Sequence, residues 1–202
     1  MRSRAEKSLD AVKDAVQNLT PAINAREKIF EPLSQLVTRV INALDASGAS
    51  DHIVKDARTL ARKITGKRTS AKNSPLEEGV TSSEKTGGKS ISASQMSFDQ
   101  RLDNFKELIT LLSKEPLYKP NEPELSVKAL TEYANNLKAK NTAVINAATP
   151  ASNSRINRDK ILYDKPAGLV DIAFEVKKYV KSAFKQSSPE YNQVSGLEFK
   201  RP

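Results

Sequence analysis

The sequence predicts an all-α protein of six to seven helices, built as two related helical halves in an elongated antiparallel bundle. Three observations carry this expectation. The 202 residues include only 7 Gly and no Trp, and aromatics make up 5%, so turn glycines and large strand formers are scarce. Apolar residues recur three and four apart over long stretches, which is the period of one helix face. Thr-Pro, Ser-Gly, Ser-Asp and Ser-Pro pairs punctuate those stretches where helix ends are expected.

Taken in order, residues 3–19 carry Leu9, Val12, Val16 and Leu19 as one apolar stripe. Thr20-Pro21 reads as an N-cap followed by Pro at the first helical position, so a second helix is expected there. Its face is Ile29, Phe30, Leu33, Leu36, Val37, Val40, Ile41 and Leu44, with Pro32 kinking or restarting it. Ser47-Gly48 is a stop, and Ser50-Asp51 opens a third helix with Ile53, Ala57, Leu60 and Ile64 inward, ending near Gly66. Over residues 67–96 Gly, Ser, Thr and Lys dominate and periodicity disappears, the composition of a flexible linker or loop. That stretch separates an N-terminal half, residues 1–66, from a C-terminal half, residues 97–202.

Order resumes at Ser97 and Gln100, spaced as a capping box, followed by Phe98, Leu102, Phe105, Leu108, Ile109 and Leu112 on one side. Asn121 and Glu124 are spaced as a second box, with Pro123 in the first turn. The fifth helix presents Leu130, Tyr133, Leu137, Val144 and Ile145. Asn141 falls on that stripe, and a buried Asn must find partners. Thr149-Pro150 repeats the Thr20-Pro21 punctuation. The last long segment breaks at Pro166-Ala167-Gly168 and resumes with Leu169, Ala173, Val176, Val180, Ala183 and Phe184, a stripe expected to pack into a common core. Ser188-Pro189-Glu190 starts a short final helix presenting Tyr191, Val194 and Leu197, and Phe199 belongs to a tail expected to dock.

The two halves share an order of features. Ile23–Phe30 resembles Ile156–Leu162 with one residue dropped; a proline follows each (Pro32, Pro166), then Leu36-Val37 against Leu169-Val170. Lys67-Arg68 falls on Lys200-Arg201 at the same offset, and Ile64 on Leu197. The shared order favours duplication, and repeated helical units more often form interaction scaffolds than single active clefts. The segments SFDQRLDNF, YKPNEPEL, GLVDIAFEVKKYVKSAF and SPEYNQVSGLEF, with LVTRVINALDASGASD and VKDARTLARKITGKR, resemble an uncharacterised family of internally duplicated helical proteins from Bacteroidetes bacteria. The resemblance spans nearly the whole chain except the linker. It implies a full-length helical unit and brings no activity, cofactor or partner with it.

The chemistry is sparse. Absence of Cys excludes disulfides, thiolate catalysis and Cys-ligated zinc or iron–sulfur clusters, and fits a reducing compartment. No run approaches the ~18 apolar residues of a membrane span, and the N-terminus lacks the uninterrupted apolar segment of a secretory signal. The expectation is therefore a soluble, cytoplasmic protein. His52, the only histidine, follows Asp51 at a helix start and reads as an exposed first-turn residue rather than a triad or metal member. Asp99 with Asp103, and Asp171 with Glu175, are four apart and share helix faces, but the Glu-x-x-His elements of di-metal bundles are missing. Asp159 and Asp164 likewise read as solvated charge. Gly87-Gly88-Lys89-Ser90 lacks the first glycine and the preceding strand of a phosphate loop.

Lys and Arg number 33 against 24 Asp and Glu, a formal charge of +9 spread over both halves. The densest cluster, Lys55, Arg58, Arg62, Lys63, Lys67, Arg68 and Lys72, is the best candidate for an anion or nucleic-acid surface, centred on Arg58, Arg62, Lys63, Lys67 and Arg68. No aromatics are interleaved with it for base stacking, and no helix-turn-helix or zinc-finger pattern accompanies it. Lys177, Lys178, Lys181 and Lys185 form a second stripe. The amphipathic segment 169–185 has the composition of a membrane-surface helix, but packing against its neighbours is the better account of its apolar face. The expected role is a non-catalytic structural or protein-interaction protein, with a protein partner or self-association and no cofactor, metal or small-molecule ligand evident. The alternative is a basic nucleic-acid-associated protein.

Overall fold

The structure, a computed structural model, describes residues 2–66 and 96–200. Among these residues run seven α-helices and no strand: α1 Arg2–Phe30, α2 Leu33–Ala46, α3 Asp51–Thr65, α4 Phe98–Ser113, α5 Val127–Tyr163, α6 Leu169–Phe184 and α7 Pro189–Ser195. A 3-10 turn, Pro123–Leu125, precedes α5. The protein is all-α, as its composition and periodicity imply. Apart from Met96, the expected linker at 67–96 lies outside the described residues.

The two Thr-Pro pairs do not start helices. Pro21 lies inside α1 and Pro150 inside α5. In both, the threonine hydroxyl turns back onto the helix: Thr20 Oγ1 donates to the Val16 carbonyl at 3.0 Å, and Thr149 Oγ1 to the Ile145 carbonyl at 3.1 Å. A hydroxyl used this way cannot cap the next helix. Both prolines are exposed, so the carbonyls they leave without a donor lie on faces that water reaches.

Elsewhere the local signals act as expected. α1 ends at Phe30, and Pro32 stands in the break before Leu33. Gly48 adopts φ +80 after α2, and Gly66 closes α3 at φ +70, a left-handed position that favours glycine, with its N–H on the Arg62 carbonyl. Ser97 Oγ accepts from Gln100 N at 3.2 Å and Ser188 Oγ from Tyr191 N at 3.1 Å, capping α4 and α7. The cap of α5 differs from expectation. Ser126 Oγ, not Asn121, accepts from a first-turn amide, that of Ala129. The Pro123–Leu125 turn intervenes between Asn121 and the helix, so the box spacing never meets helical geometry.

The chain forms two compact units: residues 24–142, and residues 1–23 together with 143–202. This division differs from the 1–66 and 97–202 halves expected from composition. The 24–142 unit holds the large core: Phe30, Leu33, Val37, Val40, Leu44, Ile64, Phe105, Leu108, Leu112, Leu130 and Leu137 are fully buried. Each such side chain contributes about 1.5–3 kcal/mol of apolar burial. Here α3 packs against both α2 and α4. In the other unit the buried positions are smaller: Ala5, Ser8, Val144, Ala151 and Val170. Leu9, placed on the α1 stripe from its spacing, is half exposed, and so is Ile145 of α5. The stretches aligned as a possible repeat share a helix–proline–helix order but differ in burial: Ile64 is fully buried, whereas Leu197 is 52% exposed.

Candidate functional site

The basic cluster is brought together only in part. Arg58 and Arg62, one turn apart on α3, line an open groove of about 270 Å³ against Thr38, Ile41 and Asn42 of α2. Arg58 Nη2 lies 3.0 Å from Asp45 Oδ2, with both side chains more than half exposed, so its charge is already countered. Arg62 Nη2 donates to Thr59 Oγ1 of its own helix at 2.9 Å. Lys63 does not line the groove. Lys67 and Arg68 lie outside the described residues. Arg58 and Arg62 therefore share a wall, but Asp45 stands on the same side.

A polar cluster that periodicity hinted at only through Asn141 lies in the 24–142 unit. Asn141 is buried; its Oδ1 accepts from Arg26 Nη1 at 3.2 Å and its Nδ2 donates to Asp99. The Arg26 guanidinium lies 4.0 Å from the Phe98 ring centre, and Phe98 meets Phe30 edge-to-face at 4.8 Å. Arg101 approaches the other aromatic, Phe30, at 5.7 Å, and its Nε donates to the Ile64 carbonyl at 3.1 Å. Burial lowers the Arg101 pKa, an effect that Tyr133 opposes. The Tyr133 hydroxyl donates to the Ile29 carbonyl at 2.5 Å, and burial raises its pKa against the pull of Arg101. These contacts join α1, α3, α4 and α5 mostly by groups engaged with one another, Arg26 Nε being buried without a partner, which is an architectural arrangement. Asp99 is held by an amide, whereas Asp103 pairs with Lys106 at 3.9 Å. His52 is exposed in the first turn of α3. Among the described residues no three His, Cys, Asp or Glu groups are placed to hold a metal ion.

The surface that departs most from expectation is α6. Of its apolar residues only Val170 is buried. Leu169, Ile172, Val176, Tyr179 and Ala183 recur at intervals of 3, 4, 3 and 4, a continuous seam along one face. Leu169 and Ile172 are half-buried, but Val176 is 53% and Tyr179 72% exposed, and Ala183 is exposed as well. The C-terminal tail docks, but beside the seam rather than over it. Phe199 meets Phe174 edge-to-face at 5.8 Å, and Lys177 Nζ donates to the Ser195 and Leu197 carbonyls at 2.6 and 3.0 Å. A cation on the Ser195 carbonyl, the last of α7, satisfies an acceptor that the helix leaves open. The stripe expected to be core, Leu169, Ala173, Val176, Val180, Ala183 and Phe184, is covered only in part: Leu169, Ala173 and Val180 are half-buried, whereas Val176, Ala183 and Phe184 are exposed. Spacing tells which residues share a face, not whether a neighbour covers it. An open groove of about 510 Å³ on another side of α6 is lined by Lys165, Asp171, Phe174, Glu175 and Lys178.

No helix among the described residues is long and apolar enough to cross a membrane. No family model, curated protein or solved structure matches the chain.

Proposed function

We propose that this is a non-catalytic, cytoplasmic interaction protein that seats a protein partner on α6. One observation carries the reading: Val176, Tyr179 and Ala183 stand exposed in a seam whose spacing suits helix-on-helix packing. A seam of that kind is stabilised when a second helix covers it. The lack of cysteine supports a reducing compartment. The groups that would serve catalysis are exposed or engaged structurally, as His52, Asp99 and Asp103 are.

The test places a photo-crosslinking residue at position 179 of the full chain in its own cells, with position 56, exposed on α3, as control. A discrete protein adduct from position 179 that Val176→Glu abolishes is expected. No adduct there, or the same adducts from both positions, sinks the reading. A second reading, nucleic-acid association through Arg58, Arg62, Lys63, Lys67 and Arg68, draws support from the wall shared by Arg58 and Arg62. It requires mobility shift at ~50 mM salt, where phosphate contacts are strongest, and weakening by Arg62→Ala.

A further inference from the structure

We infer that the occupant of the α6 seam is a second copy of this chain, paired antiparallel through α6. This rests on α6 being the docking face, as proposed above. In a symmetric antiparallel pair the layers match one seam residue to another of the copy. With the two-fold axis between residues 177 and 178, Val176 lies opposite the copy's Tyr179, and Ile172 opposite its Ala183. These two layers each set a larger side chain against a smaller one, so the seam from Ile172 to Ala183 is complementary to itself in volume, while Leu169 lies beyond the end of the copy's α6. The edge positions agree. In such a pair each edge of a helix meets the same edge of its copy, and the open edge here carries Glu175 and Ser182. At a rise of 1.5 Å per residue, Glu175 falls about 3 Å in height from the copy's Ser182, an acceptor beside a hydroxyl donor rather than a like charge.

The lysines decide against an acidic partner and against a membrane surface. Lys178 and Lys181 are exposed on the turns facing away from the seam, more than 100° around the helix from its centre, and Lys185 lies past the helix end. They place no like charges in contact across the seam. They also cannot reach the carboxylates of an acidic partner seated on the seam, and on a membrane surface they would point away from the lipid headgroups. A parallel two-fold pair would leave Lys181 about 9 Å along the axis from the copy's Glu175, too far for contact.

A seam of about two heptads is smaller than the roughly 800 Å² per partner of a standard stable interface, so the dimer is weak and concentration-dependent. Sedimentation equilibrium of the full chain is expected to show a monomer–dimer equilibrium below ~1 mM. Raising the salt should strengthen it, because screening relieves repulsion between two chains of charge +9. Tyr179→Glu, and separately Val176→Lys, should raise the Kd at least tenfold with an unchanged far-UV spectrum. The chain has no cysteine, so Val176→Cys and Tyr179→Cys chains mixed under oxidation report orientation directly. The mixed disulfide should exceed either homodisulfide. A monomer at ~1 mM, a dimer indifferent to Tyr179→Glu, predominant homodisulfides, or Tyr179-dependent binding to phosphatidylcholine–phosphatidylserine vesicles without dimerisation each overturns the inference. A monomer whose position 179 still crosslinks a different protein removes the dimer alone; a monomer with no adduct removes the docking reading too.

Discussion

Removing Asn141 tests whether the polar cluster joins the helices of the 24–142 unit. Asn141 accepts from Arg26 and donates to Asp99, so Asn141→Leu deletes two hydrogen bonds to charged groups. Such bonds contribute about 1.5–3 kcal/mol each where desolvated; the one to Asp99, an exposed residue, deserves less than that. Arg26 would keep its place over Phe98 but lose its amide acceptor, and its Nε is already buried without a partner. The expected destabilisation is about 2–4 kcal/mol. Arg26→Met alone should cost about 1–2 kcal/mol, since Asn141 retains Asp99 and the apolar stem still covers Phe98. The double variant should lose about 1–2 kcal/mol less than the sum, because the stranded guanidinium is gone. Urea unfolding followed by far-UV circular dichroism supplies the cycle, with amide exchange over residues 24–30 and 127–142 locating the loss. Additivity within ~0.5 kcal/mol, or an Asn141→Leu chain as stable as the parent, would refute the coupling.

Three further outcomes follow from particular side chains. Burial, with Glu122 adding to it, pushes the Tyr118 phenol up to about 12, while an unfolded tyrosine titrates near ~10. Its stabilisation is complete below ~pH 10 and is lost as pH rises toward 12, where the unfolded chain holds fewer protons; at most ~2.7 kcal/mol is involved, and Tyr118→Phe should make the alkaline decline in urea midpoints shallower. Phe105→Ala, in the core, should cost about 3–5 kcal/mol, whereas Tyr179→Ser at micromolar protein should stay within ~0.5 kcal/mol; equal losses would mean that α6 is covered within the monomer. Ser126→Ala should cost about 1 kcal/mol and Asn121→Ala a few tenths, and the reverse order would restore Asn121 as the cap of α5.

Much of the fold was legible because helix signals are local. The spacing of Leu102, Phe105, Leu108 and Leu112, the caps at Ser97 and Ser188, and the left-handed stop at Gly66 depend on residues within about one turn of one another. Asn141 announced itself for the same reason, as a polar residue on an apolar stripe. Its partners did not, since Arg26 lies 115 residues away and Asp99 42. Arg58 and Arg62 were correctly placed on one face of α3, but the carboxylate countering Arg58 belongs to α2.

The sequence alone determined that the chain is helical, where most of its helices stop, and which residues share each face, because hydrogen bonds from i to i−4 and caps are short-range. Only the tertiary structure decided that Thr20-Pro21 and Thr149-Pro150 are helix interior, that the compact units cut across the expected halves, and that Val176 and Tyr179 are surface. Continuation through a proline and coverage of an apolar stripe depend on distant elements, and periodicity carries no record of whether such a neighbour is present.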